Sequence, residues 1–165
     1  MSTAGTRPAE PQPVAPVPPG QGALTPYLIV KDAAAALAFY ARAFGATEDF
    51  RLTEPSGKVG HAEIRIAGAL VMLADEYPDF GALAPPSVGG CPVKLHLYVP
   101  DVDAAVARAV AAGATVLRAV KLEFFGDRTG TLADPFGYSW QLASRVETVS
   151  PAEMQRRWDK ALAGG

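Results

Sequence analysis

The sequence contains few of the residues on which several protein classes depend. Its one cysteine, Cys91, rules out an internal disulfide framework and a cysteine-based zinc site, and it fits a reducing cytoplasm. The 15 Lys and Arg residues face 17 acidic ones and form no basic stripe, so nucleic acid is not an expected partner. No apolar run approaches the roughly 20 residues that span a bilayer. These absences favour a soluble, cytoplasmic protein that binds neither nucleic acid nor membrane.

The first two dozen residues differ in composition from the rest. Residues 1–23 are rich in Pro, Ala, Gly and Gln and show no apolar periodicity. Such a segment buries too little surface to offset the entropy lost on ordering it, so we predict a disordered tail. The chain as a whole is 49% apolar and 19% charged, which is the composition of an ordinary globular protein.

Residues 24–75 follow a pattern of one strand, one helix and three further strands. An apolar strand over 24–30 leads to Asp32, a natural helix N-cap. An apolar stripe at helical spacing follows, and Gly45 supplies the left-handed residue that commonly ends a helix. Three strand-like segments come next, over about 46–53, 59–67 and 69–74.

The same pattern returns in residues 92–146. A strand leads to Asp101 or Asp103 as the cap of a second helix, which Gly113 ends. Three more strand-like segments follow, over about 114–122, 127–133 and 138–144. The offset between matching positions is constant (96 − 27 = 69 and 141 − 72 = 69), which indicates a duplication. The sequence therefore predicts an α+β fold built from two βαβββ modules.

Two segments lie outside these modules. Residues 76–91 contain several Pro and Gly and are predicted to form an irregular linker. Residues 147–165 are predicted to form a C-terminal helix, because Ser150 and Glu153 make a capping box. We expect an apolar ridge along this helix to pack on its own domain rather than serve as a dimer surface. The ridge consists of Met154, Trp158 and Leu162.

Alternation along the strands predicts one apolar and one polar face for each sheet. In residues 94–98, Leu95 and Leu97 alternate with three polar side chains. The same alternation on the other strands places two histidines, a carboxylate, a guanidinium, two phenols and an amide on the polar faces. These residues are Tyr27, His61, Glu63, Arg65, His96, Tyr98 and Gln141. Their shared direction predicts one concavity that binds a small molecule.

Glu63 and His96 are the candidate catalytic residues. Glu63 could take a proton next to a carbonyl group, with His96 or Tyr98 relaying it. The remaining side chains would bind the ligand, namely Tyr27, His61, Arg65 and Tyr98. Simpler roles stay open, since His96 could be a hydrogen-bonded interior histidine and Glu63 could form a solvated pair with Arg65.

Residues 124–128 form a second candidate region, with two aromatic side chains before a glycine turn. Phe125 could stack on a planar ligand, with Asp127 or Arg128 fixing its orientation. In the alternative interpretation, Asp127 caps the turn and Arg128 pairs with a surface carboxylate. The sequence does not separate these two interpretations.

The paired modules and the motif DPFGYSWQ at residues 134–141 resemble the vicinal oxygen chelate superfamily. That superfamily includes glyoxalase I, bleomycin resistance proteins and extradiol dioxygenases. The segments TPYL, GHAE and FGDR, at 25–28, 60–63 and 125–128, are similar to its PhnB-like branch. The resemblance implies cup-shaped mixed sheets with helices outside, a ligand cavity inside the cup, and a homodimer.

The resemblance also implies positions for a metal ion. In metal-using members, the ligands come from the first and last strands of each module. The matching residues here are Tyr27, Met72, His96 and Gln141. A divalent ion such as Zn, Ni, Mn or Fe would therefore be held by His96 and Gln141. Of the four residues only His96 is a typical ligand, because the Gln141 amide stands where a carboxylate is common and Met72 suits soft metals.

Three functions are compatible with this resemblance. The first is a glyoxalase-like lyase or isomerase that acts on a small oxygenated carbonyl compound or a thiol adduct. The second is a drug- or metabolite-binding protein of the bleomycin resistance type, which does no chemistry. The third is an extradiol-type dioxygenase, which normally requires two histidines and one carboxylate around iron.

Overall fold

The computed structural model describes residues 14–163. Part of the predicted tail, residues 1–13, therefore lies outside the described residues. Residues 14–26 form neither helix nor strand, but they continue into the first strand and contact the first sheet at Gly20 and Gln21. The module boundaries at 24–75 and 92–146 stay predictions.

The first four-stranded sheet has the order β1-β4-β3-β2. Strand β1 pairs in parallel with β4, and the other pairs are antiparallel. A helix, α1, connects β1 to β2. The elements are β1 Tyr27–Val30, α1 Ala33–Phe44, β2 Thr47–Thr53, β3 Val59–Ile66 and β4 Ala69–Asp75.

The second sheet repeats this topology after a linker that contains a 3₁₀ turn, Pro78–Phe80, and a short helix, α2 (Pro85–Val88). Its order is β5-β8-β7-β6, with β5 parallel to β8 and the other pairs antiparallel. The predicted α+β fold of two βαβββ repeats is therefore confirmed. The elements are β5 Lys94–Tyr98, α3 Val102–Ala112, β6 Thr115–Leu122, β7 Asp127–Ala133 and β8 Ser139–Arg145.

The predicted capping residues begin and end the two long helices. Asp32 accepts a hydrogen bond from the backbone N–H of Ala35 at 2.8 Å, and Gly45 ends α1 with φ of 68°. Asp101 accepts from the backbone N–H of Ala104 at 3.0 Å. Of the two candidate caps for α3, Asp101 is therefore the one used.

One continuous core joins the two modules. Helices α1 and α3 pack against each other and against the apolar faces of the sheets. At its centre the buried carboxylate of Asp134 accepts hydrogen bonds from the Tyr40 hydroxyl at 2.8 Å and the Trp140 indole N–H at 2.9 Å. Because Tyr40 lies on α1 and Trp140 on β8, this carboxylate links the two repeats.

The C-terminal helix, α4 (Pro151–Ala163), follows the capping box as predicted. The hydroxyl of Ser150 accepts from the backbone N–H of Glu153 at 3.3 Å. Trp158 contacts the ring of Phe124, with 5.2 Å between ring centroids, but Leu162 is 64% exposed. The expectation that the whole ridge packs on its own domain is therefore wrong at Leu162. Within residues 14–163, none of the helices is long and apolar enough to cross a membrane.

Candidate functional site

The first sheet carries an imidazole between a phenol and a carboxylate on its polar face. The register places Tyr27 beside Met72 and Met72 beside Glu63. His61 lies two residues before Glu63 on β3 and so shares its face. The Tyr27 hydroxyl is 2.9 Å from Nδ1 of His61, and Nε2 of His61 is 3.5 Å from a carboxylate oxygen of Glu63.

These three side chains differ in their exposure. Glu63 is nearly buried at 9% exposed, whereas Tyr27 is 48% exposed. Partial burial raises the pKa of Tyr27 above that of a free phenol, so the hydroxyl keeps its proton at neutral pH. The phenol is therefore the member of the group that a molecule from solvent can reach most easily.

Residues that precede the first strand also contact this face. The amide nitrogen of Gln21 is 3.4 Å from the second carboxylate oxygen of Glu63. Arg65 donates to Asp49 at 2.8 Å and to the backbone carbonyl of Gly20 at 2.9 Å. The guanidinium predicted to bind a ligand is thus already paired within the chain. Sequence reasoning missed Gln21, because nothing in the composition of residues 14–23 signals a contact with a sheet.

On the second sheet, the positions equivalent to Tyr27, Met72 and Glu63 hold different groups. We call such a set of residues, side by side on three neighbouring strands, a row. His96 lies beside Gln141 and Gln141 beside Thr131. Nδ1 of His96 is 3.4 Å from the side-chain oxygen of Gln141, and the rings of His96 and Tyr98 are 4.7 Å apart. This row contains an imidazole and an amide, but no carboxylate.

Tyr98 connects this row to a buried carboxylate. Its hydroxyl donates to Asp127 at 2.7 Å, and that hydrogen bond raises the pKa of Tyr98. Asp127 is only 5% exposed, whereas the Tyr98 ring is 57% exposed. Asp127 is therefore a buried carboxylate at the hydroxyl end of an exposed tyrosine.

Arg128 and Phe125, the other candidate residues of the 124–128 region, contact residues other than Tyr98. Arg128 donates two hydrogen bonds to Asp103 on α3, at 2.7 and 2.9 Å, and so points to the helix side of the sheet. The Phe125 ring packs on Phe124, with 5.2 Å between ring centroids. Of the three predicted ligand-binding residues in this region, only Asp127 lies on the same face as Tyr98.

The candidate residues thus form two clusters, one on each sheet. Within residues 14–163, no hydrogen bond, ion pair or ring contact joins Tyr27, His61 or Glu63 to His96 or Gln141. The imidazole next to Glu63 is that of His61, whereas the sequence prediction assigned the relay to His96 or Tyr98.

A cavity of about 290 Å³ lies at the seam between the modules. His96 and Arg65 line it together with apolar side chains of β4, β5 and β8. Residues 20–26 contribute to its wall through Gly20, Gly22, Leu24, Thr25 and Pro26. The cavity therefore lies between His96 on the second sheet and residues 20–26, which precede the first sheet.

Comparison with known proteins agrees with this architecture. Residues 21–142 match the family model of the Glyoxalase/Bleomycin resistance protein/Dioxygenase superfamily. The chain belongs to this superfamily. It is 48% identical over 136 residues to an uncharacterized protein of Mycobacterium tuberculosis, covering 81% of this chain and 80% of that protein.

Solved structures of the superfamily share the fold. A gene product of Arabidopsis thaliana is 30% identical, with a TM-score of 0.61 over 74% of this chain and 98% of that one. The PhnB protein of Bacillus cereus, at 21% identity and a TM-score of 0.59, covers 74% of this chain and 99% of that one. The structural neighbours therefore include the PhnB-like branch.

The metal positions implied by the superfamily hold a weak donor set in this chain. Tyr27 engages His61 through its hydroxyl, and Met72 offers only a thioether. His96 and Gln141 supply one good ligand and one neutral oxygen. Within residues 14–163, no three His, Cys, Asp or Glu side chains are grouped closely enough to hold a metal ion. These residues do not fit a tightly bound divalent ion.

Proposed function

We propose that this chain is a glyoxalase-like lyase or isomerase that acts on a small oxygenated carbonyl compound or on its adduct with a thiol. The observation that carries the proposal is the nearly buried Glu63 carboxylate beside the imidazole of His61, on a face that solvent reaches. Such a pair can accept and return a proton next to a carbonyl group. This chemistry requires no metal ion in the four family positions.

The second sheet supports the proposal by offering groups that bind rather than transform. The imidazole of His96 and the amide of Gln141 can both donate hydrogen bonds to carbonyl or hydroxyl oxygens. The cavity beside His96 has apolar walls that suit the carbon skeleton of a small molecule. We propose that His96, Gln141 and Tyr98 orient the ligand.

Turnover and binding in the presence of a chelator test this proposal. The probes are the hemithioacetal of methylglyoxal with 2-mercaptoethanol, and dihydroxyacetone as an unmodified hydroxyketone. We expect saturable turnover of one probe in excess EDTA, lowered about 10²-fold in His61→Gln. Asp79→Asn, which changes an exposed turn, is the matched control and should behave as wild type. Turnover that disappears with EDTA and returns with Zn²⁺ or Ni²⁺ would contradict the metal-free mechanism, and no turnover of either probe under any of these conditions would contradict the proposed activity.

Binding without catalysis is the second candidate, favoured by the exposed aromatic ring of Tyr98. Tyr98 is 57% exposed, packs edge-on against His96 and donates a hydrogen bond to the buried carboxylate of Asp127. An exposed aromatic ring with a carboxylate at its hydroxyl end suits a planar cation. Thermal stabilisation by acridine orange, together with no turnover of either probe, would favour this sequestering role.

We further propose that the protein is a cytoplasmic homodimer. The edge strands β2 and β6 expose apolar side chains, among them Leu52 at 60%, Leu117 at 55% and Leu122 at 60%. Exposed apolar groups on sheet edges are typical of surfaces that a second chain covers. Light scattering should give twice the chain mass for the wild type and the chain mass for Leu52→Glu. A monomeric wild type would contradict the proposed dimer.

A further inference from the structure

We infer that Tyr27, His61 and Glu63 form a proton relay, in which the Tyr27 hydroxyl exchanges the proton with the substrate. The inference rests on the proposed function, because a relay needs a substrate with an acidic C–H beside a carbonyl group. Tyr27 is then the catalytic residue. His61 and Glu63 are positioning residues that act through it.

The direction of the relay depends on which ring nitrogen of His61 carries the proton. We assign that proton to Nε2, because this nitrogen lies 3.5 Å from Glu63 and an ionised carboxylate only accepts hydrogen bonds. In the neutral imidazole Nδ1 then has a free lone pair. On this assignment the Tyr27 hydroxyl, 2.9 Å from Nδ1, is the donor, and both protons point towards the carboxylate.

Exposure along the relay decreases in the same order. Tyr27 is half exposed, His61 is partly covered and Glu63 is nearly buried. The ring of Phe50 lies 5.6 Å from the imidazole and covers part of it. The 3.5 Å between Nε2 and the carboxylate oxygen is an ion-pair distance, and such contacts shorten when the imidazole becomes charged. A substrate therefore meets the phenol first.

In the proposed step two protons move in sequence along the relay, and no electron leaves or enters the substrate. The Tyr27 oxygen takes the proton from the carbon beside the substrate carbonyl, while its own proton passes to Nδ1 of His61. The electron pair of the broken C–H bond becomes the carbon–carbon double bond of an enediolate, whose negative charge lies on the former carbonyl oxygen. Glu63 stabilises the imidazolium that forms. The hydroxyl proton of the first carbon then passes to the oxygen that carries the negative charge. The Tyr27 hydroxyl returns a proton to the neighbouring carbon while His61 returns one to the Tyr27 oxygen, which completes the isomerisation with no oxidant or reductant.

Nitrogen NMR of the imidazoles tests the relay without any ligand. The chain has only two histidines, so His61 and His96 can be assigned by one substitution each. We expect neutral His61 to be protonated at Nε2. In Tyr27→Phe the Nδ1 resonance of His61 should move downfield, because the lone pair loses its donor. Tyr98→Phe removes a phenol on the second sheet that hydrogen-bonds Asp127, and it should leave this resonance unchanged.

Deuterium exchange tests the catalytic step. In D₂O, the wild type should exchange the C–H proton of the methylglyoxal hemithioacetal or of dihydroxyacetone, as observed by proton NMR. Tyr27→Phe should lower the rate of this exchange about 10²-fold while the Kd of the probe stays within about threefold. Glu63→Gln should lower kcat and leave KM nearly unchanged, as expected for a residue that acts through its neighbours. Asp79→Asn, which changes an exposed side chain, is the control and should exchange as the wild type does.

The two experiments separate the relay from the proposed function. Failure of both probes to bind the wild type, or binding without exchange, would count against the proposed function and the relay together. Exchange in the wild type that persists in Tyr27→Phe would overturn the relay alone. His61 protonated at Nδ1 would overturn it as well.

Discussion

The two sheets of this protein have the same strand topology but different polar side chains at equivalent positions. In the first sheet the row across β1, β4 and β3 holds Tyr27, Met72 and Glu63. In the second sheet the equivalent row holds His96, Gln141 and Thr131. The first row supplies a carboxylate and, through His61, an acid–base pair. The second supplies hydrogen-bonding groups and an imidazole, but no carboxylate.

The helix caps and the apolar core are the features that the two repeats have in common. The caps at Asp32 and Asp101 perform the same task at the start of each helix. The apolar faces of both sheets are buried in one core. The polar rows contribute little to that core, so their residues can differ without changing the fold. The proposed function assigns the chemistry to the first sheet and the ligand contacts to the second.

The largest effect is expected where the two repeats are joined. Asp134→Ala removes a buried carboxylate and leaves the Tyr40 hydroxyl and the Trp140 indole N–H without their acceptor. We expect the free energy of unfolding to fall by about 3 kcal/mol, since buried unsatisfied donors are costly. Urea denaturation followed by circular dichroism measures this change. Asp79→Ala, on an exposed turn, should change it by less than about 0.5 kcal/mol, and an equal loss in both variants would contradict the link between the repeats.

A second prediction concerns the metal positions. Gln141→Glu adds a carboxylate beside His96, whereas Met72→Glu adds one beside Tyr27 in the equivalent place on the first sheet. Because an imidazole and a carboxylate together form a better site than either alone, Gln141→Glu should bind Zn²⁺ about tenfold more tightly than the wild type. Isothermal titration calorimetry measures the Kd. A larger gain from Met72→Glu would show that the first sheet is the better metal scaffold.

The smallest predicted effect concerns α4, which lies beyond the second repeat. Hydrogen bonds from Arg157 hold the pKa values of Glu147 and Glu153 below the usual range. A carboxyl group with a lowered folded-state pKa stabilises the fold above the unfolded value of about 4.3 and loses that contribution as the pH falls further. We therefore expect α4 to loosen below about pH 4, reported by the fluorescence of Trp158. In Arg157→Met this acid step should disappear, and its persistence would assign it to other groups.

Several features of the fold could be predicted because they depend on local sequence. Caps, turns and the alternation of strands act over a few residues, so Asp32, Gly45 and the pair His61 and Glu63 were placed correctly on their elements. The contact between Tyr27 and His61 could not be predicted in this way. It depends on β4 lying between β1 and β3, and strand order is a property of the whole sheet.

Other differences have equally specific causes. Asp127 and Arg128 are both candidate ligand-binding residues in the sequence, although they begin a strand predicted over 127–133. In the structure β7 begins at Asp127, and consecutive strand residues point to opposite faces. Asp127 therefore meets Tyr98 while Arg128 meets Asp103. The contact of Gln21 with Glu63 had no signal in the sequence, because the segment around Gln21 shows no periodicity.

The most direct test of the account compares the two histidines in one assay. Steady-state kinetics of the methylglyoxal hemithioacetal in excess EDTA would be measured for His61→Gln and His96→Gln. We expect His61→Gln to lower kcat about 10²-fold, and His96→Gln to raise KM and leave kcat within about threefold. The reverse result, with kcat lost in His96→Gln and retained in His61→Gln, would contradict the assignment of chemistry to the first sheet.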